Sequence, residues 1–423
     1  MTLEYILNKK ERYMEIQAGD TAWILVATAL VMLMTTPGLA LFYGGMVRRK
    51  NVLGVLMQCF ISLALVSVLW IIFGYSFAFG QGDGLIGNRG WMMLEGVGQA
   101  PNPDYAATIP HIAFALFESM FAVITPALII GAFAERMKFS AFILFTIFWM
   151  TFIYCPMAHM VWSLDGVLHQ LGTLDFAGGT VVHLSAGVAG LVTALFIGKR
   201  VGIYDKPGMH NVPFVAIGAS LLWFGWFGFN AGSALGANGL AAQAFITTNT
   251  AASAATLSWA LLEWFFSGKP TIVGACSGAI AGLVAITPAA GYVDVSGALW
   301  IGFLVSIFCY FMVVKIKPRV GYDDTLDAFA VHGIGGLWGA IATGIFCVQT
   351  VNAAGADGVL MGNFAQLKHQ AIACLVTIVY TAFMTWIVCF VVNKLVGIRA
   401  TQEDEVIGLD LTQHHERAYT LLD

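Results

Sequence analysis

Residues 175–190 read Asp-Phe-Ala-Gly-Gly-Thr-Val-Val-His-Leu-Ser-Ala-Gly-Val-Ala-Gly, and residues 327–339 read Asp-Ala-Phe-Ala-Val-His-Gly-Ile-Gly-Gly-Leu-Trp-Gly. Each stretch starts at an aspartate, enters an apolar run and carries His-x3-Gly-x2-Gly: His183, Gly187 and Gly190 in the first, His332, Gly336 and Gly339 in the second. A bilayer span needs ~20 mostly apolar residues. Working outward, apolar runs of that kind lie near 22–45, 53–80, 111–134, 139–161, 178–198, 212–232, 240–266, 271–290, 295–314, 326–348 and 370–393. The two histidine motifs fall in the fifth and tenth of these eleven runs. Five is odd, so two five-span halves must enter the membrane from opposite sides. Inverted repeats with a site near the midplane are a transporter architecture. The expected fold class is therefore an all-α polytopic membrane protein with eleven transmembrane helices and inverted five-helix repeats.

Composition supports that reading and excludes others. The 423 residues are 59% hydrophobic and only 10% charged, with a mean hydropathy of +0.80. Soluble domains are about 25% charged, so a water-soluble globule is excluded. Disorder is excluded too, because it requires low hydrophobicity. A net charge of −4 argues against a nucleic-acid partner. The 47 glycines favour close helix packing in lipid. The seven cysteines (Cys59, Cys155, Cys276, Cys309, Cys347, Cys374 and Cys389) form no CxxC pair and lie in apolar segments. They read as small buried hydrophobes.

Charge sets the expected orientation, because basic loops face the cytoplasm. Alternate loops carry Arg48, Arg49 and Lys50; Arg136 and Lys138; Lys199, Arg200 and Lys206; Lys269; Lys315, Lys317 and Arg319; and Lys394, Arg399 and Arg417. Lys9, Lys10, Arg12, Arg89 and Lys368 lie elsewhere. This predicts an extracellular N-terminal segment (1–21), a transmembrane domain (22–398) and a cytoplasmic tail (399–423). Loops 81–109 and 349–368 are then external. The N-terminus shows no signal-peptide pattern, and a plasma (inner) membrane is the expected setting.

Ionisable groups within spans are costly and usually functional. His183 and His332 lie roughly 10–13 Å into their spans at 1.5 Å per residue. Inverted symmetry would bring them together near one axis. Two imidazoles can share a proton, one as donor and one as acceptor, which suits a relay in a narrow pore. The rival readings are ordinary packing and metal binding. A metal wants a third and fourth ligand, and no Cys or carboxylate keeps a suitable spacing. Aromatic residues form a second constellation. Phe117 and Phe121 share a helix face; Trp223, Phe224, Trp226, Phe227 and Phe229 precede Asn230 and Ser233; Trp162 ends the fourth run. An interfacial belt with core packing explains such residues. The sharper reading is an outer cation site on an aromatic face above a hydrophobic constriction.

These motifs together resemble the ammonium transporter family (Amt/Mep, related to the Rh proteins). The resemblance is carried by Asp175 through His183, Pro37-Gly38 through Gly44-Gly45, Ala134-Glu135-Arg136, and Ala158-His159-Met160-Val161-Trp162. Phe227 through Ser233, Asp327 through His332-Gly333, and the tail Gly408-Leu409-Asp410 with His414, Glu416 and Tyr419 extend it over nearly the whole chain. It implies a homotrimer with one central pore per subunit and no cofactor. It implies that Trp162, Phe121 and Ser233 form an outer ammonium site and that Phe121 and Phe229 form a stacked phenyl gate. His183 and His332 would be the twin-histidine pair, and Asp175 a structural support of the site. Trp162 favours the Amt branch. The polar loop 199–211 and the tail are an expected dock for a PII-type signalling protein.

One position departs from the family. Glu118 stands between Phe117 and Phe121 where glutamine is common. A carboxylate there attracts a cation more strongly as the local dielectric falls, while conduction needs binding weak enough to release. Glu118 is thus expected to bind substrate and to shift the protein towards ammonium binding. The expected function is transport: ammonium is recruited outside, loses a proton near the gate, and passes the histidines as ammonia. Whether the proton follows stays open. The alternative is an ammonium sensor coupled to a cytoplasmic module. An enzyme is not expected, since no HExxH, GxSxG or P-loop occurs.

Overall fold

The structure, a computed structural model, describes residues 15–203 and 208–419. Expectations for residues 1–14, 204–207 and 420–423, including Lys9, Lys10, Arg12 and Lys206, lie outside the described residues. The chain is a helical bundle. Among the described residues, nine helices are long and apolar enough to cross a membrane: α1 (Ala18–Met46), α2 (Arg49–Phe79), α3 (His111–Phe133), α4 (Phe139–Leu171), α5 (Gly179–Ile197), α6 (Val212–Ala231), α9 (Val295–Val320), α10 (Phe329–Phe346) and α11 (Phe364–Val396). Two more rods complete the bundle. Helix α7 (Gly239–Ser267) is long but rich in Ala, Thr and Ser, and α8 (Ile272–Ile286) is apolar but has only 15 residues. Nine helices therefore meet the length and composition of a span, against the expected eleven. The only strands among the described residues are Pro101–Asn102 and Ala106–Pro110, an antiparallel hairpin before α3.

The helices pack as two related halves. Helix α2 packs on α3 as α7 packs on α8, and α3 packs on α5 as α8 packs on α10. The halves meet where α1 contacts α6 and where α5 contacts α10. With little hydrophobic drive between helices in lipid, such crossings rely on small residues that let backbones approach. At the first, a Cβ on Gly218 would collide with the backbone of Phe42. At the second, a Cβ on Gly187 would collide with Gly333, and one on Gly336 would fall 2.8 Å from the Leu184 nitrogen. Large apolar side chains such as Phe60, Phe265, Leu375 and Phe383 point outwards, as expected of a lipid-facing surface.

The loops rich in basic residues gather at one end of the bundle. Glu135 accepts from Arg48 Nε at 2.9 Å and from Arg200 Nη1 at 3.0 Å, and Asp323 lies 3.3 Å from Arg200 Nη2 and 3.7 Å from Arg136 Nη1. Glu135 holds a left-handed φ of 74°. Its burial raises its pKa, but Arg200 and Arg48 outweigh burial and hold it below the usual glutamate range. The tail folds back onto this hub through α12 (Gln402–Ile407) and α13 (Leu409–His414). Glu405 is fully buried; it bonds Arg399 Nε at 2.6 Å and accepts the Val201 N–H at 2.8 Å. Asp410 accepts the Gly54 N–H at 2.8 Å. The tail is therefore docked rather than simply solvated.

Candidate functional site

Asp175 shapes the outer half of the site. Its carboxylate accepts the N–H groups of Gly178 (2.8 Å), Gly179 (2.6 Å), Thr180 (2.7 Å) and Val181 (3.3 Å), and the Thr180 hydroxyl. These donors are the ones a helix start leaves unpaired, so Asp175 fixes the N-terminus of α5. Its carbonyl accepts Trp162 Nε1–H at 3.0 Å, which fixes the indole. The support role expected for Asp175 thus has a concrete form.

The repeat places its second aspartate differently from expectation. Asp324 caps α10 by accepting the N–H groups of Ala328 (3.0 Å) and Phe329 (2.8 Å). Asp327 instead pairs with Lys317 Nζ at 2.6 Å. The true match is Asp-x7-His in both halves, with Asp175 before His183 and Asp324 before His332. It was missed because Asp327 lies nearer its histidine and Asp323-Asp324 reads as loop.

From Trp162 inward runs a column of rings. Ring centroids are 5.9 Å apart for Trp162–Phe121, 4.3 Å for Phe121–Phe229, 5.9 Å for Phe229–His183 and 5.4 Å for His183–His332. The phenyl pair is tilted at 35° rather than flatly stacked. The imidazoles are nearly parallel, at 15°. Trp226 covers the other face of His183 at 5.3 Å; it is anchored by Nε1–H to Thr287 Oγ1 at 2.9 Å. In the sequence Trp226 is one of several neighbouring aromatics, and nothing there singles it out. Phe229, His183 and His332 each lie in a wide π-helical turn, a device that often occurs at functional positions and that has no clear sequence signal.

No hydrogen bond joins the two imidazoles directly. Both nitrogens of His183 and Nδ1 of His332 are buried without a hydrogen-bond partner. Buried polar atoms usually find one, so these three nitrogens stand out as unused by the fold. No group of three His, Cys, Asp or Glu able to hold a metal occurs among the described residues.

A cavity lies at each end of the column. The outer one, about 460 Å³, is lined by Trp162, Phe121, Ser233, Glu118, Asp175 and Tyr105, among others. The inner one, about 550 Å³, reaches from Glu263, Asp327 and Met209 to His332. All eight expected site residues therefore belong to one arrangement. Ser233 Oγ donates to the Phe229 carbonyl at 3.0 Å, so its lone pairs remain for another donor. Glu118 Oε2 is buried without a partner.

The family model described as Ammonium Transporter Family matches residues 22–419. The chain belongs to the ammonium transporter family. The ammonium transporter of Bacillus subtilis (strain 168) is 52% identical over 404 residues, covering 95% of this chain and 99% of the relative. The crystal structure of Candida albicans Mep2 matches with a TM-score of 0.87 at 35% identity, covering 96% of this chain and 91% of that one. A structure titled Sensor Amt Protein matches with a TM-score of 0.85 at 28% identity, covering 94% and 98%. Membership makes this a multi-pass membrane protein of a transporter family, not of an enzyme family.

Proposed function

We propose that this chain transports ammonium by binding the cation outside the gate and passing it inward as ammonia. The observation that carries the reading is the column of rings from Trp162 to His332, with a cavity at each end. An intact cation is costly to carry through such a passage. Ammonium can shed a proton and become neutral; potassium cannot. Selection therefore follows from chemistry as well as size.

In this reading Trp162 and Phe121 offer ring faces to the cation, and the Ser233 hydroxyl accepts one of its N–H bonds. Phe121 and Phe229 exclude the ion, and thermal rotation of the rings admits ammonia. The partnerless nitrogens of His183 and His332 hydrogen-bond ammonia in transit. The assembly is a homotrimer with its N-terminus outside, eleven spans, and a cytoplasmic hub of loops and tail that docks a PII-type protein. The sensor alternative is not favoured: the Bacillus subtilis relative at 52% identity is named a transporter, while the Sensor Amt Protein is only 28% identical.

The test is ammonium uptake by reconstituted protein against Trp162→Ala. A tryptophan face contributes about 0.5–2 kcal/mol to cation binding, so the half-saturating ammonium concentration should rise about 2- to 30-fold. Unchanged saturation in a folded variant contradicts the outer site.

A further inference from the structure

Glu118 sits one helical turn before the gate phenylalanine Phe121 and lines the same outer cavity as Trp162 and Ser233. Its Oε2 is buried and accepts from no protein group. Tyr75 of α2 and Tyr154 of α4 lie within its electrostatic reach. The Tyr75 hydroxyl is engaged with His111 Nε2 at 2.5 Å, and the fully buried Tyr154 hydroxyl has no partner. Across the cavity stand Asp104, Tyr105 and Asp175. Asp175 is saturated by the donors of α5, and Tyr105 is bonded to Ser163 at 3.1 Å. Glu118 is therefore the acid beside the gate whose carboxylate has a buried oxygen unused by the fold.

We propose that Glu118 is the base that takes the proton from ammonium at the gate and returns it to the outer side. This rests on the transport reading above and deepens it. The step balances as ammonium plus the Glu118 carboxylate giving ammonia plus the Glu118 carboxylic acid: one N–H bond breaks, its electron pair stays on nitrogen, and one O–H bond forms. An ion pair shut away from water costs more than the neutral pair it becomes on proton transfer. The site thus favours ammonia where the apolar column begins. Ammonia then enters between Phe121 and Phe229. The acid loses its proton to water in the open outer cavity, and the next cation finds a carboxylate again. Because the proton stays outside, net movement carries no charge, and ammonia entering the lumen consumes a proton there.

The experiment uses full-length protein in sealed liposomes, with labelled ammonium uptake, lumenal pH and membrane current recorded together for the wild type, Glu118→Gln and Glu118→Asp. The wild type should alkalinise the lumen in step with uptake and give no sustained current. Glu118→Gln, nearly isosteric but unable to take the proton, should lose most of the uptake and the alkalinisation that accompanies it, and Glu118→Asp, which keeps a carboxylate, should restore part of both. A wild-type current of one charge per ammonium, or uptake by Glu118→Gln at the wild-type rate, overturns the proposal while leaving transport standing. No uptake by the wild type above protein-free liposomes removes the transport reading and this inference with it.

Discussion

At the scale of residues, the site is defined by which polar atoms the fold uses and which it leaves unused. Asp175 and Asp324 spend their carboxylates on the starts of α5 and α10, and so fix where His183 and His332 sit. The histidines spend almost nothing: three of their four ring nitrogens are buried without a partner. The assignment of Asp324 as the cap makes a prediction. Asp324→Ala should destabilise the solubilised protein by about 1–2 kcal/mol, the loss expected of a helix cap. Asp327→Ala breaks only a partly exposed pair with Lys317 and should cost less than about 1 kcal/mol. Thermal unfolding of the two variants decides; a larger loss for Asp327→Ala would contradict the assignment.

At the scale of elements, some apolar runs match their helices to within a residue or two, whereas the fourth helix runs ten residues past its expected end, to Leu171, and the ninth six residues past, to Val320. The third run was expected at 111–134 and the helix is His111–Phe133; the fifth was expected at 178–198 and the helix is Gly179–Ile197. Hydropathy reports these because lipid demands them. Other features were not legible, for physical reasons. Helix α8 is only 15 residues long because a turn begins after Ile286, although the run stays apolar to Ala290. The π-helical turns under Phe229, His183 and His332 depend on how neighbouring helices crowd them. The ion-pair hub joins residues as far apart as Arg136 and Asp323, which no local pattern links. Phe121, Phe229, Trp162 and the histidines were legible mainly through the family resemblance, and their single-file order needed coordinates.

That hub also predicts a pH response. Glu135 is held below the ordinary glutamate value of 4.5 by Arg200 and Arg48 against its burial. A group lowered on folding contributes stability that is present above its unfolded pKa and is lost as pH falls through its folded pKa. The wild type should therefore lose stability as pH falls below about 4.5, and Glu135→Gln should remove part of that loss. At neutral pH the same variant should be less stable by up to about 3 kcal/mol, since it leaves the partly exposed Arg48 guanidinium without its carboxylate and Arg200 with Asp323 alone. Thermal unfolding at pH 7 and pH 4 measures both; an unchanged pH dependence in the variant would show that Glu135 does not carry it.

At the scale of the whole molecule, two helical halves meet at glycine-lined crossings and leave one route between them. The route's ends are wide and its middle is rings. The tail closes the basic end by burying Glu405 against Arg399 and setting Asp410 on the start of α2. That places the proposed regulatory surface on the same loops that carry the hub, and it separates regulation in space from the outer cavity proposed to bind the cation. In the proposed reading the two histidines receive ammonia once the gate has excluded the ion. The most direct measurement is uptake from ammonium and potassium gradients into liposomes bearing the wild type or the double variant His183→Ala with His332→Ala. The wild type should move ammonium and exclude potassium. The double variant, folded and inserted, should lose most of its ammonium flux or should begin to pass potassium. Selective ammonium flux at the wild-type rate in the double variant would contradict the account.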